Sequence, residues 1–303
     1  MSERTAGASR IQSIDFSVVI LSANAANLVP CVRAVLSHEP DLAAERIIVV
    51  DDGARTGAEP LLPGVRWIPG KKPFVFARNA NLGIRAADTD VILLNDDACL
   101  VTPRGFTQLA EQARSRAKLG ALSAGIRGIA GNGNQQATGR NEFRDGTYGV
   151  SFICVYLPKS VYQRVGPLDE RFTGYGFEDQ DYCTRIVKKG LGLGIWDGCV
   201  LDHPGQLVSS YRSQADFSAL VRQSEQLFLK KWGRLDPIGT ANEAFPELRG
   251  LNWLQRLKWM IAGEAFRVGS RDPGGDELKQ RSPGGVTRIG PGGSPEVPRK
   301  PRP

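Results

Sequence analysis

The sequence runs to 303 residues, 41% of them hydrophobic, which suits one sizeable core with a small appendage rather than several large domains. Its formal charge of +7 raises the question of nucleic acid. From Phe245 onward, however, there are 11 Lys and Arg against 6 Asp and Glu, which leaves 28 against 26 for residues 1–244, so the folded part is nearly neutral and no nucleic-acid partner is expected.

Residues 1–14 are polar and aperiodic, and a flexible leader is expected there. Phe16–Leu21 is a continuous apolar run of buried-strand length. Leu28, Val32, Val35 and Leu36 then share one helical face across residues 27–37. Residues 46–53, RIIVVDDG, predict a second buried strand ending in two carboxylates and a glycine. A short strand at 65–68, a helix over 76–87 and a strand at 91–94 running into Asn95-Asp96-Asp97 follow.

Further along, the pattern predicts a helix over 103–118 and a strand in GALSAG, residues 120–125. Residues 127–146 are rich in Gly, Asn and Gln and predict a long loop, read either as a lid whose Arg127, Arg140 and Arg144 meet a diphosphate or as a solvated connection. A strand at 150–157, a helix from Pro158, the string GYGFEDQDY, a helix ending near Lys189, strands in GLGIW and GCVLDH, and a helix over 214–232 complete the core. The expected architecture is α/β: a mixed, mostly parallel, Rossmann-like sheet with helices on both faces, spanning residues 15–235. Residues 236–269 are expected to add a helical extension, and 270–303, rich in Pro, Gly and charge with few apolar residues, a disordered basic tail.

The five cysteines, Cys31, Cys99, Cys154, Cys183 and Cys199, form no C-x-x-C pair and sit mostly in apolar stretches, as reduced thiols do. Two scattered histidines, His38 and His203, argue against zinc. No apolar run approaches the roughly 18 residues of a membrane span, and no secretory leader is evident, so a cytoplasmic protein is expected. The amphipathic stretch 251–267 carries Leu251, Leu254, Leu257 and Ile261 near one face and reads either as a last core helix or as a peripheral contact at the inner face of a membrane.

Parallel sheets bind ligands beyond the carboxyl ends of their strands, where both Asp51-Asp52 and Asp96-Asp97 fall. Adjacent carboxylates at a strand end are costly unless hydrogen bonds or a hard cation compensate them. The plain alternative is a helix cap, since Thr102-Pro103 opens a helix soon after. Glu178, Asp179 and Asp181 open another helix, where the macrodipole alone favours acidic residues. The Gly174-Tyr175-Gly176-Phe177 lead-in is not needed for that purpose and suits a sugar platform. A lone histidine at a strand end, such as His203, is ordinarily a satisfied structural residue. No P-loop and no G-x-G-x-x-G follows the first strand, which removes support for ATP hydrolysis and dinucleotide redox chemistry.

Taken together, VVDDG at 49–53, ARNANLG at 77–83, Asn95-Asp96-Asp97 and GYGFEDQDYCTR at 174–185 resemble the family 2 glycosyltransferases of the GT-A fold, over about residues 16–205. The resemblance implies an inverting, metal-dependent transfer of a sugar from a UDP-, dTDP- or GDP-linked donor to a carbohydrate or lipid-linked hydroxyl acceptor. It implies nucleoside contacts at Asp51, Asp52 and Arg78, and donor contacts at Asn95 and Asp96. Mg²⁺ or Mn²⁺ would sit on Asp97, with His203 as a further ligand. Asp179 would be the catalytic base, with Glu178, Tyr175 and Phe177 at the acceptor. An amide stands at Asn95 where the family's D-x-D motif begins, so Asp97 is the first choice as metal ligand and Asp96 the second. The alternatives are a nucleotidyltransferase that makes a nucleotide sugar and a non-catalytic nucleotide- or sugar-binding module.

Overall fold

A computed structural model describes residues 15–128, 133–146, 149–204, 217–233 and 238. Contacts divide the chain into residues 1–257 and 258–303, and the second unit lies wholly outside the described residues. So do the leader 1–14, the tail 270–303 and, apart from Ile238, the extension 236–269 with its amphipathic stretch 251–267.

The first strand, β1 (Phe16–Ser22), is buried along its whole length. It is followed by α1 (Ala25–His38), whose start is fixed by Asn24: its side-chain Oδ1 accepts from the Ala26 N–H at 2.9 Å. Next come β2 (Ile47–Asp51), the short α2 (Arg55–Ala58), β3 (Arg66–Pro69), α3 (Phe76–Ala86), β4 (Asp90–Asn95) and β5 (Cys99–Leu100). The chain continues through α4 (Gly105–Arg114), β6 (Leu119–Gly128), β7 (Phe143–Asp145), β8 (Cys154–Leu157), α5 (Lys159–Val165), α6 (Glu178–Lys188), β9 (Gly192–His203) and α7 (Phe217–Trp232).

Among the described residues these strands form one nine-stranded sheet, ordered β3-β2-β1-β4-β8-β6-β9-β5, with β7 also on β9. The pairs β2–β3, β1–β2, β1–β4 and β6–β9 are parallel, and β4–β8, β6–β8, β5–β9 and β7–β9 are antiparallel. The N-terminal half is thus the parallel sheet that continuous apolar runs predict, because strands covered by helices on both faces have no wet side. One face packs Val18, Ile20, Ile47 and Val49 against α1 and α4; the other packs Val19, Ile48 and Val50 against α3, joined by α5 and α6. Gly83 of α3 lies so close to the sheet that a Cβ there would stand 2.3 Å from Val19 Cγ1.

Register carries the chemistry to one edge. Ser22 pairs with Asp51, and Leu21 with Asn95, so the carboxyl ends of β1, β2 and β4 lie side by side. At the far side Cys99 pairs with Asp202, bringing the end of β9 back beside the turn that follows β4.

Several boundaries differ from the sequence pattern. The strand expected at 150–157 begins only at Cys154. GLGIW and GCVLDH are one strand, β9, with a bulge where Ala124 pairs with Trp196 but Gly125 pairs with Val200. The stretch 127–146 is not a structureless loop, because β6 extends through Gly128, a single 3₁₀ turn spans Gly133–Gln135, and β7 follows. Its anchor is Asp197, in the β9 bulge, which accepts from the Thr138 N–H and Oγ1 and from the Arg140 N–H, and pairs with Arg144 at 3.2 Å.

Candidate active site

The nucleotide-side residues stand at the ends of β2 and on α3. Asp51 Oδ1 accepts from the Gly53 and Arg55 amides at 2.9 and 3.0 Å, which holds the turn into α2. Asp52 is buried, and Lys72 Nζ lies 2.7 Å from its Oδ1. Arg78, on the first turn of α3, has Glu170 as a distant ion-pair partner at 3.7 Å. The asparagines beside it serve the fold: Asn81 donates to Leu168 O and Glu170 Oε1 and accepts from the Leu168 N–H.

Beyond β4, Asp96 is tied to β1 by Ser22, whose Oγ donates to its Oδ2 at 2.6 Å. Burial, with the Asp97 charge adding to it, pushes the Asp96 carboxyl up to about 6 against the opposing Ser22 bond. Asp97 points the other way, and its Oδ1 lies 3.1 Å from His203 Nε2 at the end of β9. Two candidate ligands separated by 106 positions in sequence therefore meet side by side.

Asn95 joins this cluster to the second acidic motif. Its N–H donates to the Ile153 carbonyl at 2.8 Å, and the backbone amide of the preceding residue, Phe152, bonds the Asp179 carboxylate. The two carboxylate-bearing segments thus meet one short stretch of main chain. Asp179 also accepts from the Gln180 N–H at 2.7 Å. Burial raises the Asp179 carboxyl against these two bonds, while burial and then the Asp179 charge push Glu178 up to about 8. Burial thus disfavours the charged form of both neighbouring carboxyls, and the Asp179 charge further disfavours ionising Glu178.

Phe177, just before this pair, adopts φ 71°, a left-handed conformation that costs a bulky residue free energy. Its ring packs on Phe228 of α7 at 5.4 Å between centroids. Tyr175 and Phe177 are both half-buried beside Glu178. Asp181, by contrast, is fully buried and bonded to Arg185, Lys231 and Trp232, as a structural residue is.

The donor set can be tested for a divalent ion. Among the described residues no group of three or more His, Cys, Asp or Glu side chains is arranged to hold a metal. Asp97 and His203 supply two adjacent donors, and ions such as Mg²⁺ use one or two carboxylates and complete their shell with substrate phosphates and water. A two-donor site beside a diphosphate fits that pattern.

Residues 17–158 match the glycosyl transferase family 2 model. The match covers Asp51, Asp52, Arg78 and Asn95–Asp97, while Glu178, Asp179 and His203 lie beyond it. A comparison with curated proteins returns no match. Among solved structures, GalNAc-T7 with UDP, GalNAc and Mn²⁺ is similar at TM-score 0.54 and 14% identity, over 87% of this chain and 59% of that one. This chain therefore spans less than two thirds of GalNAc-T7. The mannosyltransferase PcManGT from Pyrobaculum calidifontis, in complex with GDP-Man and Mn²⁺, is similar at 0.52 and 14%, over 84% and 80% of the two chains. S. aureus TarS is similar at 0.50 and 11%, over 78% and 77%. At these identities the likeness establishes the fold, a mixed α/β GT-A domain.

Three residues at the site escape a reading of motifs: Ser22, Lys72 and Phe152. Ser22 closes an apolar strand, which is a usable signal. Lys72 and Phe152 act through long-range placement and leave none in the sequence. Of the arginines expected at a diphosphate, Arg127 is paired with Asp202 at 2.6 Å on the surface and Arg144 with the buried Asp197 at 3.2 Å. Arg140 lies 3.8 Å from Glu142 and is largely exposed. No disulfide joins the five cysteines, and among the described residues no helix is long and apolar enough to cross a membrane.

Proposed function

We propose that residues 15–235 are the catalytic unit of an inverting glycosyltransferase, moving a sugar from a nucleoside-diphosphate donor to a carbohydrate or lipid-linked hydroxyl in glycoconjugate synthesis. The observation that carries this reading is the link from Asn95 through Ile153 and Phe152 to Asp179, which ties the segment after β4 and the start of α6 to one short stretch of main chain. The Mn²⁺ held by two fold neighbours, one with UDP and one with GDP-Man, supports a nucleotide-linked donor.

In this reading Asp51, Asp52 and Arg78 hold the nucleoside, and Asn95 and Asp96 contact the donor's ribose and diphosphate. Asp97 and His203 would hold Mg²⁺ or Mn²⁺, which when bound neutralises charge on the departing diphosphate. Asp179 accepts the acceptor's proton as its oxygen bonds the anomeric carbon and the carbon–diphosphate oxygen bond breaks. Glu178 orients the acceptor hydroxyl, with Tyr175 and Phe177 beside the sugar. A single displacement inverts the anomeric centre. A carboxyl lifted by burial is a stronger base than an exposed one, which suits proton abstraction near neutral pH.

A nucleotidyltransferase would need a basic, glycine-rich loop for a triphosphate after β1. Here that turn is Ala23-Asn24, and Asn24 is spent on capping α1. To test the assignment, UDP-, dTDP- and GDP-sugars are incubated with the protein and Mn²⁺, and nucleoside diphosphate release is followed. Turnover of one donor class is expected. Release of pyrophosphate from a nucleoside triphosphate and a sugar phosphate, with every nucleotide sugar left intact, would support the rival instead.

A further inference from the structure

We propose that α7 positions the catalytic base: through Lys231 and Phe228 it holds Asp181 and Phe177, the residues on either side of Glu178–Gln180, and so turns Asp179 toward the cleft. The catalytic part of this inference rests on the reading of Asp179 as the base.

The contact between α7 and residues 173–177 is made by main chain and side chains together. The Tyr175 N–H donates to the Leu220 carbonyl at 3.1 Å, and Gln223 donates to Thr173 Oγ1 at 2.8 Å. At Gly174 a Cβ would stand 2.1 Å from that same carbonyl, so only glycine lets the helix come this close. Phe228, fully buried, packs its ring on Phe177 and holds that residue in its left-handed conformation.

Past the pair, Asp181 is the second anchor. Its side chain is 0% exposed, with Lys231 Nζ at 2.7 Å and the Trp232 indole N–H at 3.0 Å on one oxygen, and Arg185 Nε at 3.0 Å on the other. Lys231 also reaches Asp169 at 2.8 Å, tying the segment before the turn to the same ammonium. Successive helical residues are about 100° apart, so positions 179 and 181 face nearly opposite directions. Pinning Asp181 inward on α7 therefore turns Asp179 outward, toward the Phe152 amide that it meets.

The experiment compares Lys231→Met, Lys231→Arg and Phe228→Leu with the wild type. Nucleoside diphosphate release from UDP-glucose, UDP-N-acetylglucosamine, dTDP-rhamnose and GDP-mannose is measured with Mn²⁺ and water as acceptor, alongside amide hydrogen exchange. A misplacement of about 1 Å costs up to about 100-fold in rate. Lys231→Met and Phe228→Leu are expected to lower kcat about 10- to 100-fold with the donor KM held within about twofold. Lys231→Arg should restore kcat. In the two impaired variants, exchange should speed up over residues 174–182 and stay unchanged over 47–51 and 90–95. Wild-type kcat in both variants, or exchange rising equally in β2 and β4, would overturn the proposal. If the wild type itself turns over none of the four donors, the glycosyltransferase reading falls with the role of Asp179, a result distinct from the variants matching an active wild type.

Discussion

His203 Nε2 stands 3.1 Å from Asp97 Oδ1, although one closes β9 and the other follows β4. A protonated imidazole paired with a carboxylate, or two ligands of one ion, would each give this geometry, and the two differ in their response to metal. A ligand that binds only the folded state raises its melting temperature. The nucleoside diphosphate of the preferred donor is expected to raise Tm with Mn²⁺ and much less without it. Asp97→Asn and His203→Ala should each abolish the Mn²⁺-dependent part. An undiminished Mn²⁺ response in both variants would remove the pair from the metal site.

The pH dependence follows from the Glu178–Asp179 pair. Burial raises the Asp179 carboxyl, and the base works only when ionised, so the acid limb of kcat/KM is expected above the range of an exposed aspartate. Glu178 is raised in part by the Asp179 charge, so Glu178→Gln, which leaves Asp179 its burial and its backbone bonds, should leave this limb where it is. An acid limb at the position of an exposed aspartate in the wild type would contradict the assignment.

The same pair has a cost in stability, and its sign can be worked out. Glu178 is pushed from 4.5 to about 8 in the folded protein, so between those values the folded state binds more protons than the unfolded one. Stability therefore falls as pH rises across that window. With about 1.4 kcal/mol for each pKa unit, Glu178→Gln should be more stable than wild type at pH 8 by on the order of 1 kcal/mol or more. The difference should vanish near pH 4. Urea unfolding at the two pH values measures it.

Gly83 and Arg144 test the scaffold apart from the chemistry. A Cβ at Gly83 would press on Val19 Cγ1 at 2.3 Å and Val50 Cγ2 at 3.0 Å, so Gly83→Ala is expected to lose about 1–3 kcal/mol by overpacking. Arg144→Ala leaves Asp197, whose side chain is 0% exposed, without its cation, which costs roughly 3 kcal/mol for a buried pair. Both losses appear as lower urea midpoints with the Mn²⁺-dependent nucleotide response retained. A wild-type midpoint in Arg144→Ala would free residues 136–146 to serve as a lid.

The strands and helices that carry the site were legible because burial on both faces writes itself as unbroken apolar runs, as in β1, β2 and β4. Carboxylates at the ends of such runs, Asp51-Asp52 and Asp96-Asp97, stand out for the same reason. Cys99–Leu100 did not, since two residues carry no period. The joining of GLGIW and GCVLDH into one strand was hidden by Asp197-Gly198, a bulge that reads as a break. The order imposed on 133–146 was hidden too, because its anchor, Asp197, lies more than fifty residues downstream of it. For the site, the pattern named the acidic residues but not their arrangement. That Asp97 meets His203, or that Phe152 reaches Asp179, depends on sheet order beyond β4, where pairing switches between parallel and antiparallel.

The most direct test is steady-state turnover of the preferred nucleotide sugar by Asp179→Asn, measured beside its affinity for the nucleoside diphosphate and Mn²⁺. Binding is expected to match the wild type while turnover falls by about 100-fold or more, since the amide keeps the shape of the carboxylate but takes no proton. Turnover at the wild-type rate in this variant would contradict the account.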